Sequence, residues 1–227
     1  KPRDDRGSDE HRRDAAAGVV HDFESVEFRN HSQNGEDGIL HYLFSVIGTT
    51  SKYVVEMCAG NGRECNAANL IVNHGWHALL CDGSEENIRI ANDFYWRHPD
   101  TMRIPPAICR AWLTAENVNA VIARYGFDRE IDLLSIDVDG NDYWLWKAVR
   151  AVSPRLVVIE YNASFGVPRA VTIPYAPDFR VQQGQPGSFY HGASLAALEL
   201  LGRQLGYALV AVESAGVNAF FVRQDLC

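Results

Sequence analysis

Val54-Val55-Glu56-Met57-Cys58-Ala59-Gly60-Asn61-Gly62 is the stretch on which the reading of this chain turns. It continues a short apolar run from Tyr53 to Met57, too short for a helix, and ends in alternating glycines. A run of that length bounded by glycines reads as a buried strand followed by a tight turn. Gly60 and Gly62 lack side chains, so a ligand can approach the backbone of the turn closely. Glu56 sets a carboxylate near the end of an apolar strand, where burial is costly unless a partner is supplied. A cationic or N–H-bearing ligand would meet that need.

Working outward, helices and strands alternate at short intervals. Ser32 reads as the cap of a helix in which Ile39, Leu40, Leu43, Phe44 and Ile47 recur at helical spacing, with Gly48 closing it. After the first strand come a helix over 66–73 ending at Gly75, a strand over 77–81 ending at Asp82, and a helix over 85–97 with acids in its first turn. A weak third strand covers 107–109. Thr114 caps a helix to about Tyr125, a fourth strand covers 131–136, a helix 141–149, and a fifth strand 156–159. A helix over 194–204 and two strands over 207–212 and 218–222, joined by a turn at 214–216, complete the order. This pattern predicts an α/β fold with a mostly parallel sheet and helices on both faces. Residues 1–30, charged or small at their start, are read as a flexible tail, 31–227 as a single domain, and the Pro-, Gly- and Gln-rich stretch 163–190 as a functional loop.

The glycine turn, with Glu56, Gly60 and Gly62, resembles the first motif of the class I S-adenosylmethionine-dependent methyltransferases. Cys58 stands where that motif usually has its first glycine. The resemblance implies a Rossmann-like sheet of seven strands with an antiparallel last strand, S-adenosylmethionine as cofactor, and cofactor contacts at Glu56, Cys58, Gly60, Gly62, Asp82, Ala111, Trp112 and Asp137. Asp82, 20 residues beyond Gly62, suits ribose hydroxyls by the logic of dinucleotide folds. It also suits a plain helix cap. Trp112 is read either as a wall of the adenine site or as core. Cys65 occupies the third position of a dinucleotide fingerprint, which disfavours a nicotinamide or flavin enzyme.

Strand four ends in Asp137-Val138-Asp139 and strand five in Glu160-Tyr161-Asn162. Strand alternation places Asp137 with Asp139, and Glu160 with Asn162. If the two strands are neighbours, four oxygen-bearing side chains converge, and carboxylates that close repel unless a hard cation such as Mg2+ intervenes. The metal candidates are therefore Asp137 or Asp139, Glu160 and Asn162. The alternative is that one carboxylate positions the cofactor's amino group and the rest bond to protein or water. His191 and Asp139 are the candidate bases for deprotonating an acceptor hydroxyl.

The 163–190 loop carries Phe165, Tyr175, Phe179, Phe189 and Tyr190 among Arg169, Arg180, Gln182, Gln183 and Gln185. Rings beside amide and guanidinium donors suit the faces and hydroxyl edges of a sugar. Helix capping does not account for all the polar groups of Ser32-Gln33-Asn34-Gly35-Glu36-Asp37-Gly38, so this segment is expected to border the pocket. With the rim acids it resembles bacterial methyltransferases acting on sugars and related natural products, among them the mycobacterial sugar O-methyltransferases of methylmannose polysaccharide assembly. That likeness implies a methylated mannoside or oligosaccharide acceptor and magnesium dependence. A catechol-type or natural-product methyltransferase and a non-catalytic nucleotide-binding module are the competing readings.

Composition narrows the field. The chain is 227 residues long, 47% apolar and 22% charged, as for an ordinary globular protein. A net charge of −8 disfavours nucleic acid, whose phosphates call for a basic surface. The Asn/Asp-Pro-Pro-Tyr motif of base-methylating enzymes is missing after strand four. Neither a membrane span nor a signal-peptide core is read from the sequence, and the five cysteines have no zinc-like spacing. Buried reduced thiols and a cytoplasmic location are the expectation, and a homo-oligomer is compatible with it.

Overall fold

The computed structural model describes residue 13 and residues 22–181 and 189–227. Seven strands form one sheet: β1 (Tyr53–Met57), β2 (His77–Asp82), β3 (Ala107–Arg110), β4 (Leu133–Ile136), β5 (Leu156–Glu160), β6 (Tyr207–Val212) and β7 (Asn218–Arg223). Their order is β3-β2-β1-β4-β5-β7-β6. β7 inserts between β5 and β6 and runs antiparallel to both, while the other pairings are parallel. The expected seven-stranded Rossmann-like sheet is therefore the one observed.

The helices are α1 (Phe23–Val26), α2 (Glu36–Ile47), α3 (Ala68–His74), α4 (Glu85–Arg97), α5 (Val118–Arg124), α6 (Asp142–Ala148) and α7 (Leu195–Leu205). Strand periodicity of two sorts the core into two layers. Val54, Leu80, Leu133, Val158 and Phe220 face α2, α3 and Tyr95 of α4. Val55, Leu79, Leu134, Val157 and Phe221 face α5, α6 and α7. Each such buried aliphatic or aromatic side chain contributes about 1.5–3 kcal/mol of transfer free energy. Strand order reverses at the β1/β4 pair, so the crevice for a ligand lies at the carboxyl ends of these strands.

Local chemistry explains where boundaries depart from expectation. Gly35, not Ser32, precedes α2; Ser32 instead exchanges bonds with Asp37, its Oγ accepting from Asp37 N at 3.1 Å and its N donating to Asp37 Oδ2 at 2.8 Å. β4 starts at Leu133, two residues later than expected; directly before it Asp132, 0% exposed, takes the amides of Thr50, Ser51 and Lys52 on its carboxylate at 2.6–3.1 Å. Thr114 does not cap α5; it opens a turn closed by Asn117, whose Oδ1 accepts from Thr114 N.

Residues 22–30, read from the sequence as part of the tail, pack on the domain. Phe23 of α1 packs edge-on against Tyr42 with centroids 5.7 Å apart, and the amides of Asn30 and His31 donate to Asp37 Oδ2. Buried acceptors and an aromatic contact thus draw 22–30 onto the domain. Residues 1–12 and 14–21 lie outside the described residues. Among the described residues no helix is long and apolar enough to cross a membrane. All five cysteines are free; Cys65, Cys81 and Cys109 are buried as expected, whereas Cys58 is exposed.

Candidate functional site

A cavity of about 360 Å3 opens at the carboxyl ends of β1 to β4. Cys58, Asp82, Gly83, Ala111, Trp112 and Asp139 contribute to its wall, and Phe179 and Arg180 reach it from the 163–190 loop. The turn after β1 is left-handed at Cys58 (φ 64°), Gly60 (φ 55°) and Gly62 (φ 69°). Cys58 thus keeps a backbone shape that glycine adopts at no steric cost. Although the residue is open to the cavity, its thiol lies 3.7 Å from Asp82 Oδ2 at the cavity wall, where partial shielding from water and the charges of Asp82, Asp137 and Asp139 hold it above the usual thiol range.

The two glycines serve different ends. A side chain on Gly60 would meet nothing within 4 Å, which leaves that backbone open to approach. A Cβ on Gly62 would stand 3.0 Å from Ala91 Cβ and 3.2 Å from the Tyr95 ring, so this glycine lets the turn pack on α4 instead of facing a ligand. Glu56 also differs from expectation. Strand alternation sends it to the α3 side of the sheet, where its oxygens accept from Asn66 N at 2.9 Å and Ala67 N at 2.7 Å. It is 3% exposed and braces both ends of the glycine turn rather than lining the cavity.

Asp82 divides its two oxygens between the α4 entry and the cavity wall. Oδ1 accepts from Ser84 N at 2.7 Å and Asn87 Nδ2 at 3.1 Å, shaping the entry to α4, while Oδ2 stands beside the cavity-lining Cys58 thiol. Trp112 is 46% exposed and therefore wall, not core. Its ring packs over Gly83, its indole N–H donates to Pro177 O at 2.7 Å, and the Arg180 guanidinium stacks on it at 4.5 Å.

Beyond this wall the rim acids converge. One carboxylate oxygen from each of Asp137, Asp139 and Glu160 lies within 4.8 Å of the others. Burial, then the charges of Asp142 and Asp139, push Asp137 up to about 8. Burial, then Asp142 and Asp137, push Glu160 up to about 10. Asp142 is held less high, at about 6, because the amides of Val138 and Gly140 stabilise its charge against burial. None of these acids is in an ion pair among the described residues.

Raised folded-state values have a defined consequence for stability. Below about pH 4 both folded and unfolded chains hold these protons. Above that the unfolded chain releases them first, and each further rise penalises the folded state until pH passes about 8 for Asp137 and about 10 for Glu160. The ligand-free protein should thus lose thermal stability between pH 5 and pH 9 in EDTA-containing buffer. A flat melting temperature across that range would contradict the cluster as described.

Asn162 does not join the acids. Its Nδ2 donates to the carbonyls of Phe189 and His191, and its Oδ1 accepts from Ser164 N and Oγ, so every atom that could ligate is engaged in folding the loop. His191 is not among the cavity-lining residues; a Cβ on the adjacent Gly192 would stand 4.0 Å from Asp142 Oδ2, and the buried His191 Nδ1 has no hydrogen-bond partner. Of the loop aromatics, Tyr175 is a tether, donating to Glu116 Oε2 at 2.6 Å, and Phe179 packs against Gly140. Phe189 and Tyr190 are 64% and 61% exposed, Phe165 is half-buried, and Arg169 is exposed. Gln182, Gln183 and Gln185 lie outside the described residues.

The 32–38 segment approaches the rim without lining the cavity. Glu36 is 0% exposed, yet its charge acts on Asp137. Asn141, whose buried Oδ1 is unpartnered, is a wall residue that the sequence marked only as a helix start.

Neither a protein-family model nor a curated protein matches the chain. Solved structures do. The N-terminal domain of EvdMO1 with S-adenosylhomocysteine bound is 16% identical with a TM-score of 0.52, covering 89% of this chain and 83% of that one. Magnesium protoporphyrin IX methyltransferase from Synechocystis, with bound S-adenosylhomocysteine, is 11% identical with a TM-score of 0.50, covering 83% and 81%. The fold is that of S-adenosylmethionine-dependent methyltransferases. At these identities the likeness is one of architecture.

Proposed function

We propose that this chain is an S-adenosylmethionine-dependent O-methyltransferase acting on a small polyhydroxylated acceptor. The observation that carries this reading is one continuous crevice. At one end are Asp82 and the Trp112 ring, suited to a ribose and an adenine, and at the other Asp139, which belongs to a cluster of three carboxylates with Asp137 and Glu160. The open backbone at Gly60 suits close approach of the donor. Methyl transfer is an in-line displacement: the acceptor oxygen bonds to the methyl carbon as its bond to the sulfonium sulfur breaks, and the acceptor proton leaves. The donor is already activated, so the protein mainly aligns the partners and takes the proton. His191 and Asp139 remain the candidate bases. Exposed Phe189 and Tyr190 next to His191 offer flat apolar faces for a sugar ring.

The donor set also fits a divalent cation. Glu160 Oε2 is buried without a partner, and three carboxylates as close as these are stable together only when protonated or neutralised. Asp137, Asp139 and Glu160 would hold Mg2+, which when bound polarises acceptor hydroxyls and eases loss of their protons. The mannoside acceptor takes its support from the sequence resemblance, and the acidic rim agrees with an uncharged polyol over a nucleic acid.

Labelled S-adenosylmethionine offered with sugars, phenols and small oligosaccharides tests the reading. Transfer to a hydroxyl is expected, with EDTA lowering the rate on the order of tenfold or more and Mg2+ restoring it. Full activity in EDTA removes the cation, and failure to bind S-adenosylhomocysteine in calorimetry removes the methyl donor.

A further inference from the structure

Asn218 opens β7 directly opposite Glu160 of β5. Opposed residues of an antiparallel pair carry their side chains on one face with Cβ atoms about 5 Å apart. Asn218 is 3% exposed. Its Nδ2 donates to Glu36 Oε1 at 2.8 Å, and its Oδ1 has no hydrogen-bond partner. The amide's orientation follows from Glu36, which is fully buried, accepts Asn34 N at 2.8 Å on its other oxygen, and as a carboxylate can only accept. The NH2 of Asn218 must face Glu36, and its carbonyl must face elsewhere. The neighbouring Glu160 Oε2 is likewise buried and unpartnered.

Buried polar atoms in folded proteins are almost always paired. Asn218 Oδ1 can only accept, and so can its register partner Glu160 once ionised; a cation held with Asp137 and Asp139 would displace the Glu160 proton and satisfy both oxygens. A hard divalent cation takes carboxylate and amide oxygens together. The sequence-expected amide ligand, Asn162, is excluded because its oxygen already accepts two hydrogen bonds. We infer that Asn218 Oδ1 is the amide ligand of a divalent-cation site completed by Asp137, Asp139 and Glu160, and that Glu36 is a positioning residue that holds this amide in its liganding orientation. The inference rests on the cation in the proposed function and names a ligand and an orienting group for it.

The test is Mn2+ binding to the full chain after chelator treatment, followed by electron paramagnetic resonance of the free ion and requiring no acceptor. Wild type should bind one Mn2+. Asn218→Ala should weaken binding by about tenfold or more. Glu36→Gln keeps every proposed ligand, but its amide can donate to Asn218 Oδ1 and turn that oxygen away, so a loss of about tenfold is expected, within the range for groups that orient ligands. A merely structural Glu36 would alter melting temperature and leave Mn2+ affinity in place. Asn162→Ala should leave the ion bound. If Asn218→Ala does not fold, Glu36→Gln alone decides.

The inference is overturned if folded Glu36→Gln binds Mn2+ like wild type, or if wild type binds none at millimolar concentrations. Calorimetry with S-adenosylhomocysteine on the same samples separates the failures. Intact nucleoside binding without Mn2+ rejects the cation site alone. The expected Mn2+ pattern without nucleoside binding rejects the methyl-donor reading and leaves the cation site standing.

Discussion

Asp82→Ala should lower the affinity for S-adenosylhomocysteine by about a hundredfold or more in a calorimetric titration. Hydrogen bonds to a charged group are worth about 1.5–3 kcal/mol each, and a carboxylate facing a ribose can accept two. A hundredfold loss corresponds to about 2.7 kcal/mol, slightly less than the roughly 3 kcal/mol that two such bonds supply at the low end. Asp82 also takes Ser84 N and Asn87 Nδ2 on Oδ1, so part of any loss could come from a loosened turn. Asp82→Asn separates the two, since its amide oxygen can still accept from Ser84 N while the second acceptor is gone. An intermediate loss of about tenfold is expected for it. Affinity unchanged in both variants would move the nucleoside away from β2 and with it the proposed orientation of the crevice.

The second large effect concerns the fold. Asp132→Ala should destabilise the protein by about 3–5 kcal/mol, the range for removing one partner from a buried charged network. The Asp132 carboxylate accepts from Thr50 N and Oγ1, from Ser51 N and Oγ and from Lys52 N, with Arg155 Nε 3.6 Å away. Alanine would strand three backbone amides and leave the Arg155 guanidinium, 11% exposed, with only the carbonyls of Ile47 and Gly48 at the amino-terminal end of the sheet. For a domain of this size the melting temperature should fall by roughly 10 °C. Urea unfolding measures the change directly. Because the network lies at the opposite end of the strands from the crevice, the folded fraction should still bind S-adenosylhomocysteine. A shift within about 0.5 kcal/mol, the size usual for surface substitutions, would show that the network contributes little.

The contrast between Glu56 and Asp82 shows how far residue type carries. Both are acids at the ends of apolar strands, and both resemble cofactor contacts. Strand alternation and the path of the chain into α3 bring two amides onto Glu56, whereas Asp82 keeps one oxygen beside the cavity. The amides that claim Glu56 belong to residues 66 and 67, and the sequence holds no mark that they turn back toward β1. Asn162 and Asn218 differ for a similar reason. Asn162 stands two residues from Glu160 and reads as its companion, yet loop carbonyls claim it. Asn218 is remote in sequence and reaches Glu160 only because β7 inserts between β5 and β6.

What the sequence determined by itself is the succession of strands and helices and the end of each strand at which polar residues gather. Those follow from local rules, namely apolar periodicity of two or of three to four residues, glycines at left-handed turns, and acids at helix starts. What only the tertiary structure decided is which of those polar groups remain free. Hydrogen-bond capacity is consumed by whichever partners the folded chain brings near: amides of a later segment for Glu56 and of an earlier one for Asp132, and the carbonyls of residues 189 and 191 for the Asn162 amide.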